Sequence, residues 1–264
     1  MSLIVDFGLV FVILGRMIDY DMHIHTEYCG HAKPMNIKAI LARADELGLK
    51  TIAIATHVFK PLDLNVMEWI REDAAKIEHN CRVIVGAEID VDGRFCDGRL
   101  VTDDLDGIDY VVAGFHYIPG VGNYPRQWSD CSLEPQSMFE RWRSSLLGIV
   151  SNPRIDTLAH PGRVLACAMD IEPIFNHVLQ VFAEAAEISA HNNITWEINE
   201  HNGHKINPYC YNNWHRIYQT ALDAGVKLIY GSDAHSPEEI GLTSFTSTIL
   251  DKLPANSLIG PESL

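Results

Sequence analysis

The stretch DMHIHTEYCGH, residues 21–31, places three histidines, His23, His25 and His31, beside one aspartate. It continues an apolar run that starts at residue 18. Side chains two apart on a strand face the same way, so His23 and His25 share one side. His31 returns toward the same end from the loop that follows. The stretch reads as the C-terminal end of a strand that delivers imidazole to one place. Whether that place is a site depends on how the other strands end.

Apolar runs of strand length recur at 18–24, 51–56, 82–89, 109–115, 155–159, 194–199 and 226–231. Helical patterns lie between most of them, at 36–48 with Gly48 as the C-cap, and at 66–80, 134–150, 171–192 and 211–225. Between the third and fourth runs the chain is turn-rich instead (93–105). Strands alternating with helices predict an α/β fold with a parallel sheet. At 264 residues the natural closure is a distorted seven-stranded (β/α)7 TIM-like barrel, with its site at the C-terminal ends of the strands. A single barrel domain is expected over 18–264, with 1–17 as an N-terminal extension. Its apolar part, 3–14, is interrupted by Asp6 and too short for a helical membrane span, and it lacks the marks of a signal peptide. Met17 directly precedes the first strand, and a start there would leave the barrel whole. The longest irregular stretch is 117–135, a length that points to a functional or mobile loop.

Every one of the seven runs ends in, or carries near its end, a residue type that binds metals. The first has His23 and His25, the second His57, the third Glu88, the fourth His116 and the fifth His160. The sixth runs into His201 and His204, and the seventh ends in Asp233 and His235. In a parallel barrel these ends lie on one face, so residues far apart in sequence converge. A lone histidine is more often a surface or core residue than a ligand, but chance does not put one at strand after strand. Imidazole with carboxylate suits divalent zinc, iron or manganese, and the lack of thiolates argues against a structural zinc knot. His79, His177, His191 and His215 fall in or beside helical patterns and read as surface residues.

The formal net charge of −15 argues against a nucleic-acid backbone as partner. It leaves an anionic substrate open, because bound metal ions reverse the local sign. The six cysteines, Cys29, Cys81, Cys96, Cys131, Cys167 and Cys210, form no C-x-x-C pair, and scattered thiols of this kind suggest a reducing, cytoplasmic setting. Nucleophile-elbow, H-E-x-x-H and phosphate-loop motifs are missing.

Over roughly 18–240 the chain resembles the PHP (polymerase and histidinol phosphatase) metal-dependent phosphoesterases. The likeness rests on D-x-H-x-H-T with His31 six residues beyond the second histidine, a lone histidine after the second strand, G-x-E, G-x-H, A-H-P-G and G-S-D-x-H. It implies the same seven-stranded barrel and three divalent ions. By position, His23, His25, Glu88 and Asp233 would hold one ion. Glu88, His116 and His160 would hold a second, and His31, His57 and His235 a third. Two positions set the chain apart within that resemblance. Thr56 stands where the family usually has Asp, and Cys29 is like the histidinol-phosphate phosphatase branch.

The implied reaction is hydrolysis of a small phosphate monoester by hydroxide held between metals. Glu88 and Asp233 would be catalytic through the ions they bind. Arg163, three residues after His160, would fork onto phosphate oxygens, with His201 and His204 as further substrate contacts. Asp21 and Asn199 read as supporting residues. A histidinol-phosphate phosphatase, a metal-dependent hydrolase of another ester or amide, and a non-catalytic metal-binding module are the alternatives.

Overall fold

Seven short strands lie side by side in chain order, and every pairing between them is parallel. They are β1 (Tyr20–Ile24), β2 (Thr51–Val58), β3 (Arg82–Asp90), β4 (Tyr110–Gly114), β5 (Thr157–Leu158), β6 (Thr195–Asn199) and β7 (Leu228–Gly231). The computed structural model describes residues 18–121, 133–166, 168, 170–204 and 206–264. The extension 1–17, most of the long 117–135 stretch, Cys131 and Cys167 lie outside the described residues.

The strands are buried on both faces, as a parallel sheet covered by helices requires. On one face Ile52, Ile54, Val85, Ile89, Val111 and Trp196 join the large core under the helices. On the other, Ala53, Ala55, Ile84, Tyr110, Val112 and Ile229 form a smaller apolar plug inside the barrel. The same alternation carries this inner face on to His57 and Glu88, which sit side by side in the register of β2 and β3. In β2 and β3 the pleat thus turns the strand from apolar filling below to polar ligand above, whereas in β1 a register shift between Asp21 and Ile24 moves the inner face from Met22 to His23.

The helices follow the sequence expectation with local corrections. α1 (Ile37–Leu47) is capped at its start by Asn36, whose side chain accepts from Ala39 N, and ended by Gly48 at φ 67°. α2 (Val66–Ala75) stops five residues before the expected end, because Asn80 is tied to Asp45 of α1 ahead of β3. α3 (Pro135–Val150) begins on a proline. α4 (Arg163–Ala166) is a single turn after β5. The 171–192 pattern opens as a 3-10 turn around Pro173 before α5 (Phe175–Asn192). The 211–225 pattern is divided at the buried Trp214 into α6 (Pro208–Asn213) and α7 (His215–Asp223). α8 (Ser244–Leu250) follows β7.

The barrel closes between β1 and β7 without a continuous ladder. One parallel bridge pairs Ile24 with Ala234. Asp233 N donates to His23 O at 2.8 Å and His25 N to Ala234 O at 3.1 Å. The buried carboxylate of Asp21 supplies the rest, accepting from Ser232 N at 2.9 Å and Gly241 N at 3.1 Å. Burial pushes Asp21 up to about 6, against the pull of these hydrogen bonds.

Candidate metal centre

The upper end of the barrel gathers residues from all seven strands. His23, His25 and Glu88 are fully buried and bring one ligand atom each to within 4.8 Å of the others. Glu88, His116 and His160 form a second such group. His25, His57 and His235 form a third, nearer the surface. Asp233 Oδ1 lies 2.8 Å from His25 Nε2. His31 reaches the set through His235, their Nε2 atoms facing each other at 3.0 Å. The nine residues that the family resemblance implies as ligands, drawn from the strand-end pool and His31, therefore converge. Their grouping differs from the division that the family resemblance implies, because His25 also stands with the outer histidines and His57 Nδ1 approaches Glu88 Oε2 at 2.8 Å.

Backbone geometry shapes this convergence. His160 and Asp233 take left-handed conformations, φ 30° and 57°, which non-glycine residues rarely adopt and which concentrate at functional sites. Gly114 and Gly231 allow close approach. A Cβ at Gly114 would stand 2.7 Å from Glu88 Oε1, and one at Gly231 would stand 2.1 Å from Glu197 Oε1.

Several rings are pinned on one nitrogen, which aims the other inward. Glu197 Oε1 accepts from His23 Nδ1 at 2.7 Å, and Asp90 Oδ1 from His116 Nδ1 at 2.7 Å. Asp233 O accepts from His235 Nδ1 at 2.8 Å, and Cys29 O from His31 Nδ1 at 3.1 Å. The carbonyl partners assign the proton of His31 and His235 to Nδ1. Their Nε2 lone pairs then point at each other across 3.0 Å, a repulsive contact unless a cation lies between them. Two nitrogens bound tetrahedrally to zinc at about 2.0–2.1 Å stand roughly 3.3 Å apart, close to that spacing.

The interior repeats the pattern. His25 Nδ1 and His160 Nδ1 are buried without a hydrogen-bond partner, and His23 Nε2 and His57 Nδ1 meet only the shared Glu88 Oε2, at 3.4 and 2.8 Å, without hydrogen-bond geometry. One unsatisfied buried atom costs about 1–3 kcal/mol, so several in one centre would be a burden in a purely structural role. Divalent cations fit this donor set of neutral imidazole and carboxylate.

The electrostatics point the same way. Burial would raise Glu88, but His57, His116 and His23 hold it well below the usual carboxylate range. Burial would lower His116, but Glu88 and Asp90 push it up to about 10. His23 is likewise raised, Glu197 and Glu88 outweighing its burial. Burial lowers His25, His160, His31 and His235. The centre thus demands positive charge around Glu88 and favours the neutral form of His25, His160, His31 and His235, as ligands must be.

Above these groups opens a cleft of about 420 Å³, bordered by Phe59, Tyr117, Arg163, His201 and Asp233 as well as by ring edges of the ligand set. Arg163 is almost buried and donates from Nη1 to Asp233 Oδ2 at 2.9 Å. The ring of His201 lies 5.4 Å from that of His235, tilted by 41°. His204 is exposed, packs on the far side of His201 at 5.2 Å and does not border the cleft. Asp21 and Asn199 are buried in supporting positions, Asn199 donating to Glu197 and Asp233. Thr56 is turned away from the centre and paired with Thr26 at 2.7 Å.

Asp90 and Glu197, which orient His116 and His23, were not singled out from the sequence. The signal was present in period-two spacing: Asp90 is two residues from Glu88, and Glu197 two from Asn199. No helix among the described residues is long and apolar enough to cross a membrane.

Comparison with known proteins agrees with this architecture. A family model described as PHP domain matches residues 21–201. The chain is 25% identical over 236 residues to a probable phosphatase of Clostridium acetobutylicum, covering 88% of this chain and 85% of that protein. It is 27% identical over 238 residues to a probable phosphatase of Caldanaerobacter subterraneus, covering 86% and 81%. Among solved structures it is similar in fold to the histidinol phosphate phosphatase of Lactococcus lactis, determined with zinc, L-histidinol and phosphate. The TM-score is 0.64 at 17% identity, covering 89% of this chain and 93% of that one.

Proposed function

The chain belongs to the PHP domain family, and from that premise we propose that it is a metal-dependent phosphatase that hydrolyses a small phosphate monoester at a three-ion centre. The observation that carries this reading is the ring of inward-facing nitrogens, above all the opposed Nε2 atoms of His31 and His235. Relatives named as phosphatases, and a similar fold determined with zinc and phosphate, supply the reaction class.

The ions would be held by His23, His25, His31, His57, Glu88, His116, His160, Asp233 and His235. Zinc, manganese or iron bound there supplies Lewis acidity and lowers the pKa of water toward neutrality. The chain's own groups do the positioning. Glu88 stands between the two inner clusters and balances charge in both. Asp90 and Glu197 fix the rings of His116 and His23, so ligand geometry does not relax during turnover. Arg163 is anchored by Asp233 and brings a fixed positive charge to the cleft, where a guanidinium can fork onto phosphate oxygens. His201 is a second contact at the cleft edge. His204, outside that edge, has no assigned part.

The test is elemental analysis and a phosphomonoester panel on metal-reconstituted protein. Three ions per chain with turnover of simple monoesters is the expected result. Saturation at one ion would remove the three-ion centre, and inertness toward every monoester would remove the phosphatase reading.

A further inference from the structure

The cleft has two unlike sides. Arg163, His201, Asp233 and His235 lie at or beyond the ends of β5, β6 and β7. Phe59 and Tyr117 lie beyond β2 and β4, which flank β3 and Glu88. Both aromatics are large and open to solvent, Phe59 at 43% and Tyr117 at 38%. Singly exposed apolar residues need no explanation, but two bordering one cleft beside the ligand set do. Phe59 follows His57 by two residues, so the strand period puts it on the same side. Its ring lies nearly parallel on the imidazole, with centroids 4.6 Å apart and 23° between planes. The ring of Tyr117 stands edge-on to His116, 6.2 Å away at 63°.

The charge around the cleft is also one-sided. Asp233 is the one carboxylate among its described lining residues, and Arg163 and His25 already engage it. A cationic amine in the leaving group would find no uncommitted carboxylate among these described lining residues, and Glu239, beside His201 and His235, already accepts from His235 N and Ser236 N. A flat apolar ring would find aromatic surface, and offset or edge-to-face contacts between rings add stabilisation beyond area burial.

Resting on the phosphatase reading above, we infer that the preferred substrate is a phosphate ester of an uncharged aromatic alcohol. The phosphate faces Arg163, and the ring of the leaving group packs against Phe59 and Tyr117. The modest size of the cleft suits a single small ring system.

Benzyl phosphate and cyclohexylmethyl phosphate test this. Both release a primary alcohol of similar bulk, one flat and the other puckered. Metal-reconstituted full chain should show kcat/KM about tenfold higher for the benzyl ester, mostly through KM, and the Phe59→Ala/Tyr117→Ala double variant should bring the ratio to within about twofold. Because both esters meet the same metals, the ratio cancels any change in metal loading caused by unstacking His57. Trp69→Ala, exposed at 49% but away from the cleft, should keep the wild-type ratio. Equal rates for the two esters, a ratio unchanged in the double variant, or 2-aminoethyl phosphate as the best of the three would overturn the inference. If no ester is hydrolysed, the phosphatase reading fails and calorimetry with benzylphosphonate and cyclohexylmethylphosphonate decides the cleft separately. A benzyl preference lost in the double variant sustains the aromatic cleft, and equal affinities reject it.

Discussion

The floor and the rim of the centre are built from the same residue type by opposite means. On the floor, His23 and His116 are held by carboxylates and buried, His116 showing one edge to the cleft, and both face Glu88. On the rim, His31 and His235 are held by backbone carbonyls, and His57 is covered by Phe59. A carboxylate partner raises the basicity of an imidazole and strengthens it as a ligand, whereas a carbonyl mainly fixes its tautomer. In the three-ion reading proposed above, the floor would retain its ions and the rim would bind its own more loosely beside the open cleft.

The largest effect that would break this contrast is expected at Glu88. Glu88→Gln keeps the volume but leaves several buried imidazoles without their anion, a change of about 3–5 kcal/mol for a broken buried pair. Metal analysis should show both floor ions lost and activity reduced by about a thousandfold. Retention of two ions with near-normal turnover would show that Glu88 does not join the floor clusters.

Arg163→Ala should come next and should act on substrate more than on metal. Loss of a charged hydrogen bond of about 1.5–3 kcal/mol should appear as a higher KM for phosphate esters at unchanged metal content. An unchanged KM would leave Arg163 as the anchor of Asp233 alone.

Asp90→Asn and Glu197→Gln sharpen the comparison itself. Each should weaken floor metal affinity by about 10–100-fold, the usual consequence of removing the group behind a ligand. The same competition assay on His31→Gln should lose the rim ion while sparing the floor. If all three variants lose their ions together, floor and rim are one cooperative unit and the distinction falls.

The smallest effect is a proton count. Without metal, His116 sits at about 10 and His23 well above its usual value, so both carry protons at neutral pH. A cation must displace them. Floor binding should release protons and tighten as pH rises, while His31 and His235, already lowered, should release none. Titration of metal-free protein in two buffers of different ionisation enthalpy measures this. Equal release from all sites would place the carboxylate influence wrongly.

Much of the floor was legible in sequence because the signal is positional. Histidine, glutamate or aspartate at strand end after strand end is meaningful only once the strands are parallel, and the alternating runs made them so. The ends of elements were less legible. Residues 155–159 read as a strand, yet only Thr157–Leu158 pair, because the chain turns at once into the left-handed His160. Trp214 fits a helical period but buries its indole where the helix breaks. Asp90 and Glu197 are not legible as histidine partners, because an acid on a strand looks the same in sequence whether it faces solvent or a histidine. Phe59 and Tyr117 carry no mark in sequence that separates them from core aromatics; their shared cleft does.

The seam between β1 and β7 bears on how the centre comes into being. Asp21 meets Ser232 across 211 residues of sequence, and His25 meets Asp233 across 208. Contacts this distant carry the largest loop-closure entropy and form late, after local pairs such as β2 with β3. The ligands from the first strand therefore wait for those from the seventh. A chain emerging from the ribosome can build most of its barrel and still be unable to close the metal centre. Ion uptake is then a report that the last strand has arrived, and metal uptake by refolding protein should follow the slowest folding phase rather than the first collapse.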